Sequence, residues 1–358
     1  MAKCIVAEGF KPSGAAYTRL TVMGRAAEVM AMSKKPLAPP CRRISADEYV
    51  DTRTGEVLPY SHQVSRADNI NGVRRTLSRI RSLINCNVVD PTTCRWVTLT
   101  YAQPNGKPMT DRERLHDDFR RFWQKFKRWC KAQGHTTPEY ISVVEPQGSG
   151  SWHVHAFFLW DGKAPYVPNK ALRKLWGQGF VTIKQPVGVD NMGAYFSAYL
   201  ADIPLEDLPK AERSKVQGLE VVTKDFEDAR GHRKSKAFVK GGRLVFYPPK
   251  FNILRSSRGV KQPEVEWTDY QGAKEKVSGA TETFSRAYSI LDDEGKPLNT
   301  IYKAYYSSFV IQKQAPHDGM ALTYDTRCPH TECGVSSCPL PGVRGKNAAA
   351  VAVTLCCD

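Results

Sequence analysis

Long apolar runs are missing from this 358-residue sequence: the longest, 348–355, is broken by Thr354 and is far too short to span a bilayer. No basic start followed by an apolar stretch opens the chain, so neither a secretory leader nor a membrane anchor is expected. No Gly-x-x-x-x-Gly-Lys-Ser/Thr loop occurs, which excludes an ATP-driven motor of that type. Acidic residues are scarce, with 36 Asp and Glu against 52 Lys and Arg, a net charge of +16 and a pI near 9.4. A balance this basic points to a polyanionic partner. The ten cysteines follow no framework spacing, so free thiols in a reducing cytoplasm are expected. Cys328, His330, Cys333 and Cys338 fit no common zinc spacing, and the tail 319–358 reads as disordered.

What is present centres on 145–160, EPQGSGSWHVHAFFLW. His153 and His155 are separated by Val154 alone, and a strand sends alternate side chains to one face, so both imidazoles project together. Upstream, Tyr140, Ser142 and Val144 alternate with Ile141, Val143 and Glu145, and 147–151 is rich in turn residues, which predicts a hairpin. A centre near Ser149 pairs Glu145 with His153 and adds a carboxylate to the imidazoles. Two nitrogens and one oxygen suit Mn²⁺, Mg²⁺ or Zn²⁺ with positions left open for a substrate oxygen. A bare His-x-His on a half-exposed strand has a bland reading as satisfied structural histidines, and the carboxylate is what moves the balance.

The rest of the chain frames that hairpin. Apolar residues at Ile70, Val73, Leu77, Ile80 and Ile84 predict an amphipathic helix within 67–85, with Arg74, Arg75, Arg79 and Arg81 on its other faces. Residues 94–101 predict a strand with Val97, Leu99 and Tyr101 on one side and Trp96, Thr98 and Thr100 on the other. Leu115, Phe119, Phe122, Phe126 and Trp129 form the core stripe of a helix over 111–131. A short helix at 169–176, a strand at 180–184 and a capped helix at 190–202 closed by Pro204 complete the order β-α-β-β-α-β-α. That order predicts an α+β fold of the ferredoxin-like split βαβ type. Tyr195 and Tyr199, four apart, share one face of the last helix, while Met192, Phe196 and Leu200 occupy another. Between 230 and 262 stand ten basic residues and no acidic one: Arg230, Arg233, Lys234, Lys236, Lys240, Arg243, Lys250, Arg255, Arg258 and Lys261. With an apolar strand at 244–247 among them, Tyr247 and Phe251 are expected to stack on bases while the cations meet phosphates.

The threonine-bearing strand 95–101, then Glu145 with His153-Val154-His155, then Tyr195 and Tyr199, in that order, resembles the HUH endonucleases that initiate rolling-circle replication. The two-tyrosine spacing is similar to initiators of small single-stranded DNA phages, and the wider chain to replication-associated proteins of filamentous phages and of Gram-positive plasmids and phages. The likeness covers roughly 93–202. One departure stands out: the two-tyrosine branch often has a lysine just before the second tyrosine, where this chain has Ala198. The resemblance implies an HUH endonuclease core in which a divalent ion, Mg²⁺ or Mn²⁺, sits on His153, His155 and Glu145. Thr98 and Thr100 would support the ligands or the DNA. Tyr195 or Tyr199 would attack the scissile phosphate of single-stranded origin DNA, giving a 5′-phosphotyrosine and a free 3′-hydroxyl, with rejoining later and no ATP. A replication origin stem-loop is the expected substrate, a host helicase and polymerase the expected partners, and a bacterial cytoplasm the expected location.

The expected organisation is a basic flexible segment over 1–45, a helical extension over 46–92, the endonuclease core over 93–205, a basic DNA-binding region over 206–318 and the tail. Alternatives are a conjugative relaxase or transposase of the same chemistry, a zinc hydrolase, and a non-catalytic DNA-binding protein with structural histidines.

Overall fold

The computed structural model describes residues 3–35, 41–52, 54–60, 69–186, 202–208, 210–227, 233–249, 251–292 and 294–308. The architecture is α+β with antiparallel sheets. In chain order the elements are β1 (Lys3–Val6), β2 (Tyr17–Met23), β3 (Ala26–Met32), β4 (Cys41–Arg43), β5 (Glu48–Asp51), β6 (Val57–Pro59) and helix α1 (Ile70–Asn87). Then come β7 (Cys94–Tyr101), α2 (Arg112–Ala132), β8 (Glu139–Pro146), β9 (Trp152–Leu159), α3 (Asn169–Trp176), β10 (Gly179–Lys184) and β11 (Ile203–Pro204). The C-terminal part adds β12 (Val221–Glu227), β13 (Arg233–Val239), β14 (Leu254–Ser256), β15 (Glu264–Asp269), α4 (Tyr270–Lys276), β16 (Thr281–Leu291) and β17 (Pro297–Ser307).

One sheet, ordered β10-β7-β9-β8-β14, holds the histidine pair. Residues 95, 97, 99 and 101 face α2 and α3, and on the neighbouring strand Phe158 packs on Phe122 and Phe126 of α2 at centroid separations of 6.2 and 4.8 Å. The predicted stripe of α2 is core: Leu115, Phe119, Phe122 and Phe126 are buried, and Trp129 packs against them. Asp111 caps α2 by accepting from the amides of Glu113 and Arg114 at 2.9 and 3.0 Å, which satisfies two otherwise orphaned donors. Asp118, buried on α2, accepts from the Tyr101 hydroxyl at 3.1 Å and from Arg121 at 2.6 Å, locking helix to sheet. The α1 helix forms where its apolar spacing predicts, capped by Asn69, and sends Ile80, Leu83 and Ile84 into the same core.

Two expectations fail. Residues 1–45 are not a flexible lead-in: β2 and β3 lie inside a six-stranded sheet, ordered β1-β16-β17-β3-β2-β15, with Leu20, Ala27, Val29 and Ala31 buried. The β3 sequence AAEVMAM is too alanine-rich to read as a strand, and the basic, proline-dense stretch after it suggested a tail. Its partners come from the far end of the chain, as with Ala31 opposite Tyr302. A boundary drawn around 206–318 therefore cuts through shared sheets, because β14 joins β8 while β15, β16 and β17 join the N-terminal strands. Secondly, the expected apolar strand at 244–247 is part of a 3-10 turn over Gly242–Phe246. The tail, with Cys328, His330, Cys333 and Cys338, lies outside the described residues. Cys4, Cys41, Cys86, Cys94 and Cys130 are free thiols.

Candidate functional site

The predicted hairpin forms with the predicted register. Glu145 stands opposite His153 and Val143 opposite His155, and across the other neighbour Thr98 stands opposite His155 and Thr100 opposite His153. Paired residues point to the same side of a sheet, so Glu145, His153, His155, Thr98 and Thr100 share the face turned away from α2. The turn at 147–151 closes with the Gln147 amide donating to the Ser151 carbonyl at 2.8 Å and Gly150 in the left-handed region at φ 84°. Gly148 is required there, because a Cβ would stand 1.9 Å from the Asp207 carbonyl oxygen.

Within the cluster, His155 Nε2 is hydrogen-bonded to Glu145 Oε2, and its Nδ1 stands 3.2 Å from the Thr98 hydroxyl. A carboxylate only accepts, so a neutral His155 donates from Nε2 and accepts from Thr98. The other carboxylate oxygen, Oε1, is paired with the guanidinium of Arg243. Arg243 is 4 % exposed, and its remaining donors go to the Pro146 carbonyl at 2.9 Å and the Asp202 carbonyl at 3.1 and 3.2 Å. Burial alone would push the Glu145 carboxyl up, but the hydrogen bond from His155 and the charge of Arg243 outweigh it and hold the carboxyl below its usual range. His153 is different: burial pushes its pKa down to about 4, and its Nε2 is buried with no hydrogen-bond partner among the described residues. An orphaned imidazole nitrogen 6.2 Å, ring to ring, from a second histidine that already contacts a carboxylate is a donor set that fits a divalent cation. Among the described residues no three such side chains converge as a finished metal cage, since both oxygens of Glu145 are engaged by His155 and Arg243.

The other expected site residues fare unevenly. Tyr195 and Tyr199 lie outside the described residues, as do Arg230 and Lys250. Arg233 and Lys234 begin β13. Lys236 is paired with Glu206, and Lys240 with Glu220 at 3.0 Å. Arg255 is half-buried on β14, where burial lowers its pKa, while Arg258 and Lys261 are exposed. The run of ten cations is thus not one surface. Arg243 is a correction: it is an internal clamp and not a phosphate contact. Tyr247 and Phe251 are corrections too, being 1 % and 5 % exposed. Tyr247 donates to the Val144 carbonyl at 2.7 Å, and Phe251 stacks on Trp152 at 4.9 Å, so neither ring is open to a base. The signal for burial was in the sequence: Arg243 follows Gly241-Gly242 and leads an apolar run, Leu244-Val245-Phe246-Tyr247.

An α+β protein whose open sheet face carries His-x-His, a carboxylate and flanking threonines has the donor set that metal-assisted phosphate chemistry uses. Residues 94–203 match a family model described as a replication-associated protein of the ORF2 type, and that match supports a replication-associated initiator protein. No curated protein and no solved structure matches the chain. Among the described residues, no helix is long and apolar enough to cross a membrane.

Proposed function

We propose that this chain initiates DNA replication by nicking single-stranded origin DNA, with a tyrosine as nucleophile and a divalent ion on His153, His155 and Glu145. The observation that carries the reading is the shared face: both imidazoles and the carboxylate meet in one register, with His153 Nε2 left without a partner among the described residues. The family match spans this hairpin and supports a DNA substrate in replication. The order β10-β7-β9-β8, read against the chain order β-α-β-β-α-β, supports a ferredoxin-like split βαβ core of the HUH type.

In this reading Tyr195 or Tyr199 attacks the phosphorus in line, the phenolic oxygen forms the new ester, and the 3′-oxygen leaves as a hydroxyl. One ester replaces another, so rejoining needs no ATP. The bound ion, Mg²⁺ or Mn²⁺, supplies charge neutralisation on the phosphate. Thr98 holds the tautomer of His155 through Nδ1, and Arg243 holds Glu145 ionised. The same guanidinium binds the carbonyl of Asp202, the first described residue after the stretch that bears both tyrosines, which ties that stretch to the carboxylate. Host helicase and polymerase would act on the exposed 3′-hydroxyl.

A stem-loop oligonucleotide with Mn²⁺ or Mg²⁺ tests this. Wild type cleaves it, whereas His153→Ala and the double variant Tyr195→Phe/Tyr199→Phe do not. A second reading, a non-catalytic DNA-binding protein, is favoured by the fact that Glu145 already has two partners. Cleavage absent from wild type, or unchanged in the double tyrosine variant, would decide against the nickase.

A further inference from the structure

The site face continues past the histidines to the edge of the sheet, and what stands there has no role in the chemistry above. Phe180 is opposite Thr100, which is opposite His153, which is opposite Glu145, so the four side chains form one row across β10, β7, β9 and β8. Two rows away, Lys184 is opposite Trp96 on the same face. β10 is an edge strand, and on it Phe180, Thr182 and Lys184 are all exposed. Phe180 is 58 % exposed, a large ring left in water beside a candidate catalytic cluster. Each ring has a cation over it: the Arg173 guanidinium stands 5.0 Å from the Phe180 centroid, and Lys184 Nζ stands 5.0 Å from that of Trp96. Neither cation has a carboxylate partner among the described residues.

The backbone fixes this edge firmly. Gly177 ends α3 in the left-handed region at φ 66°, which places Arg173, one turn back, above the start of β10. Gly179 admits no side chain, because a Cβ would lie 2.4 Å from the Thr100 carbonyl oxygen and the Ala102 amide. The Trp176 indole donates to that same carbonyl at 3.0 Å. Phe180 is therefore held in register with Thr100 and His153 by packing, and not by its own burial.

We infer that Phe180 with Arg173, and Trp96 with Lys184, form a track along β10 that binds unpaired DNA bases by stacking and the adjoining phosphates by charge, delivering one phosphate to the His153 row. The inference rests on the proposed function for its ligand. Exposed rings paired with unopposed cations are the chemistry that single strands use and duplexes, whose bases are already stacked, do not. Between Phe180 and Lys184 the strand advances about 13 Å, enough for a short run of nucleotides.

The test uses the full chain, metal-free, with a fluorescent single-stranded oligonucleotide followed by anisotropy and 2-aminopurine quenching. Phe180→Ala is expected to weaken single-strand binding about tenfold and abolish quenching, in line with the usual worth of one stacked base. Phe180→Trp is expected to restore both. Arg173→Gln and Lys184→Gln are expected to weaken binding and flatten its salt dependence. Unchanged single-strand affinity in Phe180→Ala, with the variant folded by circular dichroism, overturns the track even if wild type nicks DNA. Loss of binding in Phe180→Ala supports it even if wild type forms no nick, so the two proposals fail separately.

Discussion

A carboxylate only 3 % exposed stays ionised because its surroundings hold the charge, and Glu145 depends on two neighbours for that. Arg243→Ala would strip one of them away and leave a buried anion uncompensated, a loss expected to cost about 3–5 kcal/mol. Urea denaturation reads it, and adding Glu145→Gln to the same variant should recover part of the loss. If Arg243→Ala alone cost under about 1 kcal/mol, the clamp would be ornamental. The pH dependence has a definite sign. The Glu145 pKa is depressed, so its contribution is present above the ordinary carboxylate pKa and is lost as pH falls through the lower folded value. His153, at about 4 against an ordinary 6.5, refuses in the fold a proton that the unfolded chain accepts. Stability should therefore fall as pH drops from about 6.5 towards about 4. An NMR titration of the His153 ring checks this, and a midpoint near 6.5 would contradict the buried environment. Residue roles were only partly legible in the sequence. The alternation of the hairpin showed that Glu145, His153 and His155 share a face, since period two follows from strand geometry alone. It did not show that Arg243, Tyr247 and Phe251 turn inward, because a cation among aromatics looks alike whether it meets phosphate or a buried carboxylate.

Among the elements, α2 and the β8–β9 hairpin do most to position the site. Phe126, fully buried on α2, contacts Phe122, Trp123, Trp129 and Phe158, so Phe126→Ala should cost about 3–5 kcal/mol by transfer and cavity terms together. Chemical denaturation measures it, and a loss below about 1 kcal/mol would mean the helix is loosely seated. Elements with strong periodicity were readable: α2 has five apolar positions at steps of four and three, and Asp111 announces its start. By contrast β3 was hidden, since three alanines among seven residues carry little strand preference. It becomes a strand because Gly24, at φ 62°, turns β2 back on it and β17 pairs along its other edge.

At the scale of the molecule, the two ends of the described chain close on each other in one sheet, with β2 and β3 between β15 and β17. Pairings that span most of the chain carry no local signature, which is why the domain boundaries expected from composition do not follow the sheets. Removing residues 1–33 would leave β15 without its partner and open an edge on β17, so the truncated protein should aggregate or lose cooperative unfolding, as size-exclusion chromatography and thermal denaturation would show. A truncated protein that stays monomeric and unfolds cooperatively would argue that the sheet does not need its N-terminal strands.

The central claim is that a cation site on the open sheet face and a tyrosine act on one phosphate. Mass spectrometry of the protein after incubation with a stem-loop oligonucleotide and Mn²⁺ tests it most directly. The account predicts a peptide bearing a 5′-phosphate-linked nucleotide on Tyr195 or Tyr199, absent when His153 is alanine. A cleaved oligonucleotide with no protein adduct, or an adduct that forms equally without metal and without His153, would contradict it.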